Sequence, residues 1–181
     1  MRSQLQQPML ANSQTEPNEE MRVLSNTFTQ EGEELCLMLS GWIRRNLIYD
    51  KSFAVKRTRT ASEIFISKRV TGCIDVALVF LSLMKERGIA ASFIETINKQ
   101  WLEEKTPKKM IEGHIFCRIE INNKEIIYDP MNSTIATEER FFLQSKEYVK
   151  ILEGKDSWAI GLMTNDDLKK YLILNYQISF S

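Results

Sequence analysis

The first half of the chain places apolar residues at helical spacing. From Gln30 a period of 3.6 predicts a helix over about 30–47, with glutamates in its first turn and arginines in its last, as the helix dipole favours. Its apolar stripe contains Leu35, Met38, Leu39, Trp42 and Ile43. Thr60, followed three residues later by Glu63, has the pattern of a capping box and predicts a short helix that ends near Arg69.

The next predicted helix is apolar on every side. It spans 72–87 and is terminated by Gly88. It contains no polar residue over 76–81. A helix of this kind must be covered all round by other elements. We therefore expect it to lie at the centre of the fold.

The second half of the chain changes to the pattern of strands. Segments 91–97, 113–121 and 124–128 are rich in Ile, Phe and Tyr, and Asn122-Asn123 joins the last two. A polar loop, 98–112, separates the first two strands. Further on, 140–152 indicates a strand or mixed structure, and Thr164 or Asn165 begins a helix that runs to about 174. Helices followed by an antiparallel meander predict an α+β fold.

The polar composition of residues 1–26 predicts a flexible segment, unlike the rest of the chain. Residues 1–26 are rich in Gln, Asn, Ser, Glu and Pro, a composition that cannot offset the entropy of ordering. We expect a flexible polar N-terminal arm over 1–26 and a single domain over 27–181. With 43% hydrophobic residues, a chain of 181 residues is long enough for one core.

Charge and composition exclude several classes of function. Lys plus Arg and Asp plus Glu both total 24, so no net field attracts nucleic acid or an anionic membrane. No 18-residue apolar stretch and no secretory signal are present, which predicts a cytoplasmic protein. Three cysteines cannot all pair with one another, so at least one free thiol is expected.

The only histidine, His114, is the single candidate for imidazole chemistry. If Asn122-Asn123 is a two-residue turn, Ile121 faces Lys124 and Phe116 lies opposite Asp129. His114 then shares a face with Asp129 as its diagonal neighbour, roughly 7 Å away at Cα. A three-residue turn would place them on opposite faces, so this pairing tests the interpretation.

A candidate nucleophile begins the central helix. Cys73 follows Gly72 at the point where unpaired backbone amides and the helix dipole favour a thiolate, and the same amides can stabilise an oxyanion. Gly72 lets a substrate approach closely. Asp75 adds a nearby negative charge, and we expect it to bond the N–H groups of that first turn.

Together, over residues 35 to 135, these motifs resemble the transglutaminase-like superfamily. The matching segments are Thr60-Ala-Ser-Glu-Ile-Phe65, Gly72-Cys73-x-Asp75-x-Ala77, Lys85-Glu-Arg-Gly88-Ile89, Gly113-His114-x-Phe116 and Tyr128-Asp129-Pro130. The resemblance implies a papain-like α+β core in which the helix that carries Cys73 packs on an antiparallel sheet. It also implies that Cys73 is the nucleophile, that His114 is the base and acid, and that Asp129 orients the imidazole.

The sequence departs from this family at three points. Phe116 stands where tryptophan is frequent, and Thr71 stands where an aspartate often precedes Gly-Cys. Neither change removes a reacting group. The chain is also far shorter than the multidomain, calcium-regulated transglutaminases, so their cross-linking activity and metal sites are not expected here.

These residues predict a cysteine enzyme that attacks an amide or related acyl group of a peptide, protein or other substrate. A thioester would form and pass its acyl group to water or to an amine, without a cofactor. The alternative is a catalytically inactive binding or scaffold module with the same fold and the Trp101 loop as its contact surface. The sequence leaves the oligomeric state open.

The remaining candidates have simpler explanations. Trp42 occupies the helix stripe and is expected in the core, although its indole N–H is a second candidate for the oxyanion hole. Trp101 either covers a substrate or pins down its loop. Cys36 and Cys117 are expected in the core. No metal site is predicted, because Cys73, Asp75 and His114 lack the paired ligand spacing of zinc sites.

Overall fold

The protein is described by a computed structural model that covers residues 13–50, 52, 57–104, 110–137 and 147–180. In these ranges it forms six helices, two short paired strands and an antiparallel sheet. The helices are α1 Glu19–Thr27, α2 Gly32–Asn46, α3 Ala61–Ser67, α4 Cys73–Glu86, α5 Lys99–Glu104 and α6 Asn165–Tyr176. This mixture of helices and antiparallel sheet confirms the predicted α+β class.

The main sheet has five strands in the order β6-β5-β4-β3-β7, and every pairing in it is antiparallel. Two further strands, β1 Ile48–Tyr49 and β2 Arg69–Val70, form a separate parallel pair. The five strands are β3 Ala91–Asn98, β4 Gly113–Ile121, β5 Lys124–Asp129, β6 Thr134–Thr137 and β7 Tyr148–Gly154. The sequence pattern predicted β3, β4 and β5 but not β6.

Helix α4 is the centre of the molecule, as its sequence predicts. Every residue from Ile74 to Met84 is buried. The helix packs against β3 and β4 on one side and contacts α1, α2 and α3 on the others. Because the sheet and three helices converge on it, the position of its N-terminus relative to the sheet is set by the whole core.

The register between β4 and β5 follows from a tight turn. Asn122 and Asn123 have φ of 52° and 59°, the left-handed region that a two-residue type I′ hairpin turn needs and that asparagine tolerates. Ile121 consequently pairs with Lys124, and Cys117 with Tyr128. The predicted register is confirmed, and it places His114 and Asp129 on one face of the sheet.

The prediction of a loose arm is wrong for residues 13–26. Helix α1 occupies most of this stretch, is capped by the Asn18 side chain, and buries Met21 completely against α4. Gln14 is also buried, and its amide donates to the carbonyls of Arg57 and Arg59. The average polarity of residues 13–26 does not predict these contacts, because only a few residues make them and anchor the segment. Residues 1–12 lie outside the described ranges.

The predicted loop at 98–112 is partly helical. Its first residues form α5, and Trp101 is buried at 5% exposure between β3 and α6, with its indole N–H donating to the carbonyl of Met110. Residues 105–109 lie outside the described ranges, as does much of the predicted 140–152 segment, from which β7 begins at Tyr148. None of the described helices is long and apolar enough to cross a membrane.

Candidate active site

Cys73 is the first residue of α4, and its side chain is half-buried. Gly72 is the N-cap residue with an extended backbone, and no side chain of the described residues caps this end of the helix. The first amides of the helix therefore stay available to a group that lies beside the thiol. Their partial positive charge favours an anion at this point.

Asp75 does not bond the first-turn amides as the sequence suggested. Its Oδ2 instead accepts hydrogen bonds from the N–H and the hydroxyl of Thr71, at 2.8 Å and 2.9 Å. Arg59 lies 3.7 Å from the same oxygen. The carboxyl is fully buried, and this burial raises the pKa of Asp75. Asp75 thus holds the residue two positions before Cys73 and leaves the amides at Cys73 uncapped.

His114 is the second residue of β4 and is positioned by the neighbouring strand. It pairs with Thr96 of β3, whose hydroxyl donates to the His114 carbonyl at 2.8 Å. A Cβ atom at Gly113 would lie 2.4 Å from the carbonyl oxygen of Thr96, so only glycine allows the strands to approach this closely. Gly113 therefore sets the backbone position from which the imidazole projects.

Asp129, the last residue of β5, holds the imidazole. Its Oδ2 lies 2.8 Å from Nε2 of His114 and accepts a second hydrogen bond, of 2.7 Å, from the Asn132 amide. Its Oδ1 accepts from the backbone N–H groups of Met131 and Asn132. Burial opposes the charged form, but the bonds from His114 and Asn132 lower the pKa of Asp129 overall. The carboxylate is therefore ionised and fully hydrogen-bonded.

The Cys73 thiol is the second titratable group beside the His114 ring. It is near enough to interact electrostatically with the imidazole, and because Nε2 faces Asp129, Nδ1 is the nitrogen left for the sulfur. Burial disfavours the imidazolium, yet the interactions with Asp129 and Cys73 raise the pKa of His114 to about 10. At neutral pH the ring is thus protonated between two acidic groups.

Two aromatic rings complete the surroundings of His114. Phe116, two residues along β4, meets it edge to face with ring centroids 4.9 Å apart. Tyr148, the first residue of β7, lies beside it with centroids 5.8 Å apart. The side chain of His114 is only 12% exposed as a result, so its ionic contacts are partly shielded from water.

Of the predicted site residues, the structure brings together Cys73, His114 and Asp129, with Gly72 adjacent to the sulfur-bearing residue. Both tryptophans make contacts with other residues. The ring of Trp42 stacks on Phe65 with centroids 5.5 Å apart and lines a groove beside α1. Trp101 is buried in the cluster that includes α6 residues, and its indole N–H bonds the Met110 carbonyl. It is therefore not the exposed tryptophan that the substrate-covering expectation assumed, and these contacts are of the kind expected for pinning the loop.

Sequence reasoning missed several residues that support this cluster. Asn132 had a local signal, because Asp129 followed by Pro130 indicates an Asx-type turn, and such a turn brings the residues that follow it close to the Asp129 carboxylate. Tyr148 had no local signal, since it comes from a distant strand. Cys36 and Cys117 are buried in the core as predicted. No group of three or more acidic, histidine or cysteine side chains in the described ranges is arranged to hold a metal ion.

The fold resembles a solved protein structure. The crystal structure of a protein from Cytophaga hutchinsonii, provisionally named a cysteine protease, superimposes with a TM-score of 0.59. The sequence identity is 16%, and the match covers 82% of this chain but 48% of the other, so this chain spans about half of that protein's length. At this identity the likeness concerns the fold. Comparison with protein-family models and with curated protein sequences finds no match.

Proposed function

We propose that this chain is a papain-like cysteine enzyme of the transglutaminase-like superfamily, which attacks an amide or related acyl group. One observation carries the proposal: the single imidazole of the chain hydrogen-bonds a carboxylate and also interacts electrostatically with a thiol at the start of a helix. The likeness to a protein provisionally named a cysteine protease agrees with it at the level of fold.

In the proposed reaction Cys73 begins as a thiolate paired with the His114 imidazolium. The sulfur attacks the acyl carbon, and the carbonyl π electrons move to oxygen to give a tetrahedral intermediate. His114 donates its proton to the leaving amine as the C–N bond breaks, which leaves a thioester on Cys73 and a neutral imidazole. An amine product departs at this stage.

The second half of the reaction restores the starting state. Water or an acceptor amine attacks the thioester while His114 takes the proton from the attacking group. When the C–S bond breaks, the thiolate and imidazolium reform, and the acyl group leaves as an acid or as a new amide. Hydrolysis and transfer therefore use the same three side chains and differ in the acceptor that reaches the thioester.

The backbone at the start of α4 is the proposed oxyanion site. The N–H groups of the first turn are free of side-chain caps because Asp75 bonds Thr71 instead. Preorganised amides of this kind stabilise negative charge that develops on the acyl oxygen. The extended Gly72 adds no side chain on this approach, as expected for a substrate-facing position.

Asp129 acts in this scheme by orientation and charge. Four hydrogen bonds fix its carboxylate, so it holds one rotamer of His114 and stabilises the imidazolium without taking the proton. The substrates expected for such a site are peptides, proteins or other amides. The proposal involves no cofactor, because the three side chains supply nucleophile, proton carrier and orienting charge.

Alkylation of Cys73 by iodoacetamide tests the proposal. In the wild type we expect alkylation at pH 6 to remain fast, whereas an unpaired thiol reacts as its thiolate forms near pH 8.5. His114→Ala should slow the reaction at pH 6 by at least about tenfold, since the paired cation is lost. Cys73→Ala gives the background from Cys36 and Cys117, both of which are buried.

Turnover gives the second arm of the test. A library of amide-containing peptides, with liberated amine or ammonia as the signal, should be processed by the wild type and not by Cys73→Ala or His114→Ala at unchanged fold. Ordinary thiol reactivity that is indifferent to His114→Ala would contradict the proposal. That result would favour the alternative of an inactive binding or scaffold module.

A further inference from the structure

Three aromatic rings form a closed cluster on the face of the sheet that carries His114. The centroid of Tyr148 lies 5.8 Å from that of His114 and 5.6 Å from that of Phe116, and the Phe116 and His114 centroids are 4.9 Å apart. Each ring thus contacts the other two. The reaction scheme above uses only one of them.

Tyr148 joins the cluster from β7, the strand at the edge of the sheet. Asn98 of β3 pairs with Tyr148, while Thr96 pairs with His114 on its other side, so the tyrosine reaches His114 diagonally across β3. Phe116 is buried behind both rings together with Ile94 and Ile127. The imidazole is therefore held between a fixed phenyl ring and a half-buried phenol.

The groups that face His114 come from four strands or helices. Asp129 on β5 bonds Nε2, and Cys73 on α4 interacts with the ring electrostatically. Phe116 lies on the same strand as His114, and Tyr148 approaches from β7 with Glu147 next to it. A cation within about 6 Å of an aromatic centroid is attracted to the ring. Two aromatic rings meet this condition for an imidazolium at His114.

The phenol itself is a poor proton carrier in this position. Burial, the neighbouring Glu147, and the negative charges of Asp129 and Cys73 raise the pKa of Tyr148 to about 12. The hydroxyl therefore stays protonated across the pH range in which the enzyme would work. Tyr148 therefore does not act on His114 by proton transfer, and the part of it that contacts the imidazole is its ring.

We propose that Tyr148 is a positioning residue whose ring packs against the protonated His114 and holds it in the orientation that joins Cys73 to Asp129. The inference rests on the proposed function, because it assigns this ring a role in maintaining the same ion pair. The phenol ring limits rotation of the imidazole about its side-chain bonds, and its electron-rich surface stabilises the positive charge. The hydroxyl group is not required.

Two variants separate the ring from the hydroxyl. Tyr148→Phe keeps the ring and should retain wild-type behaviour. Tyr148→Leu removes it and should lower the titration midpoint of His114 by roughly half a unit to one and a half units. His114 is the only histidine, so its ring protons can be followed by NMR without assignment. Alkylation of Cys73 at pH 6 should slow by roughly two- to tenfold in Tyr148→Leu.

Controls make the test independent of general destabilisation. Tyr171→Leu removes a half-buried tyrosine from α6, away from the cluster, and should leave both measurements unchanged. If Tyr148→Leu does not fold, Tyr148→Ile supplies a β-branched residue suited to the strand and should show the same two effects. A change in stability alone, without a shifted titration, would overturn the inference.

The failure of this inference is distinguishable from failure of the proposed function. A wild-type Cys73 that is unreactive at pH 6 would contradict the proposed function itself. A reactive wild type whose His114 titration and alkylation rate are unaltered by Tyr148→Leu would overturn only the role of Tyr148. Equal losses in Tyr148→Phe and Tyr148→Leu would overturn it too, because they would assign the effect to the hydroxyl.

Discussion

Nε2 of His114 lies 2.8 Å from Oδ2 of Asp129, although fourteen residues separate the two along the chain. A single tight turn produces this contact, because Asn122 and Asn123 fix the register in which β4 and β5 pair. A shift of one residue would turn one of the two side chains to the opposite face. The local conformation of two asparagines thus determines the geometry of the candidate site.

Asp129→Asn should reduce turnover by about 10²- to 10⁴-fold, because the neutral amide supplies no negative charge to stabilise the imidazolium. Circular dichroism should show an unchanged fold. Glu125→Gln is the matched control, since Glu125 is an exposed carboxylate on the same strand and pairs with Arg118 at 2.8 Å. Equal activity in the two variants would contradict the role assigned to Asp129.

Asn132→Ala should slow Cys73 alkylation at pH 6 and amide turnover by about tenfold. It removes a 2.7 Å hydrogen bond to the charged Asp129, and such bonds contribute roughly 1.5–3 kcal/mol. Asn175→Ala removes a comparable amide donor at an exposed position of α6 and should have no effect on either rate. Identical rates in Asn132→Ala and the wild type would show that the backbone amides suffice to hold the carboxylate.

Gly113→Ala should lower both stability and reactivity, because the added Cβ would lie 2.4 Å from the Thr96 carbonyl and force the start of β4 to move. We expect a loss of about 1–3 kcal/mol in the free energy of unfolding. Gly154→Ala is the control, because its added Cβ would lie similarly close, 2.5 Å from Ile160 Cγ2. Gly154 is at the opposite end of β7 from Tyr148. This substitution should destabilise the protein but leave Cys73 alkylation unchanged, and parallel losses of alkylation in both variants would contradict the prediction.

The contribution of His114 to stability should depend on pH in a defined direction. Its folded pKa of about 10 exceeds the unfolded value near 6.5, so the contribution is complete below pH 6.5 and disappears as the pH rises through 10. Asp129 has a lowered pKa, so its own contribution is lost in acid, below its usual range near 3.8. Urea unfolding of the wild type and His114→Gln should therefore differ most near pH 6 and least above pH 10. A difference independent of pH would contradict this linkage.

The elements that sequence predicts well are those with local signals. The capping box of Thr60 and Glu63 forms as expected, and the all-apolar stretch of α4 correctly places that helix at the centre. The register of β4 and β5 follows from the length of the Asn-Asn turn by simple counting along the two strands. That register brings His114 and Asp129 to one face, as the count from a two-residue turn predicts.

The features of the structure that the sequence did not predict depend on contacts between distant segments of the chain. Met21 and Gln14 anchor a polar stretch through partners on α4 and at residues 57–59, which average composition does not show. Trp101 is buried because α6, more than 60 residues later, covers it. Tyr148 meets His114 only because β7 pairs with the far side of β3. In each case the tertiary partner decides the role of the residue.

An NMR titration of the single histidine in the wild type, Cys73→Ala and Asp129→Asn measures directly whether the imidazole interacts with both acidic groups. The wild-type ring should stay protonated well above pH 6.5, with a midpoint near 10, and each substitution should lower this midpoint by removing one acidic partner. A wild-type midpoint near 6.5 that neither substitution changes would contradict the claim that His114 bridges Cys73 and Asp129.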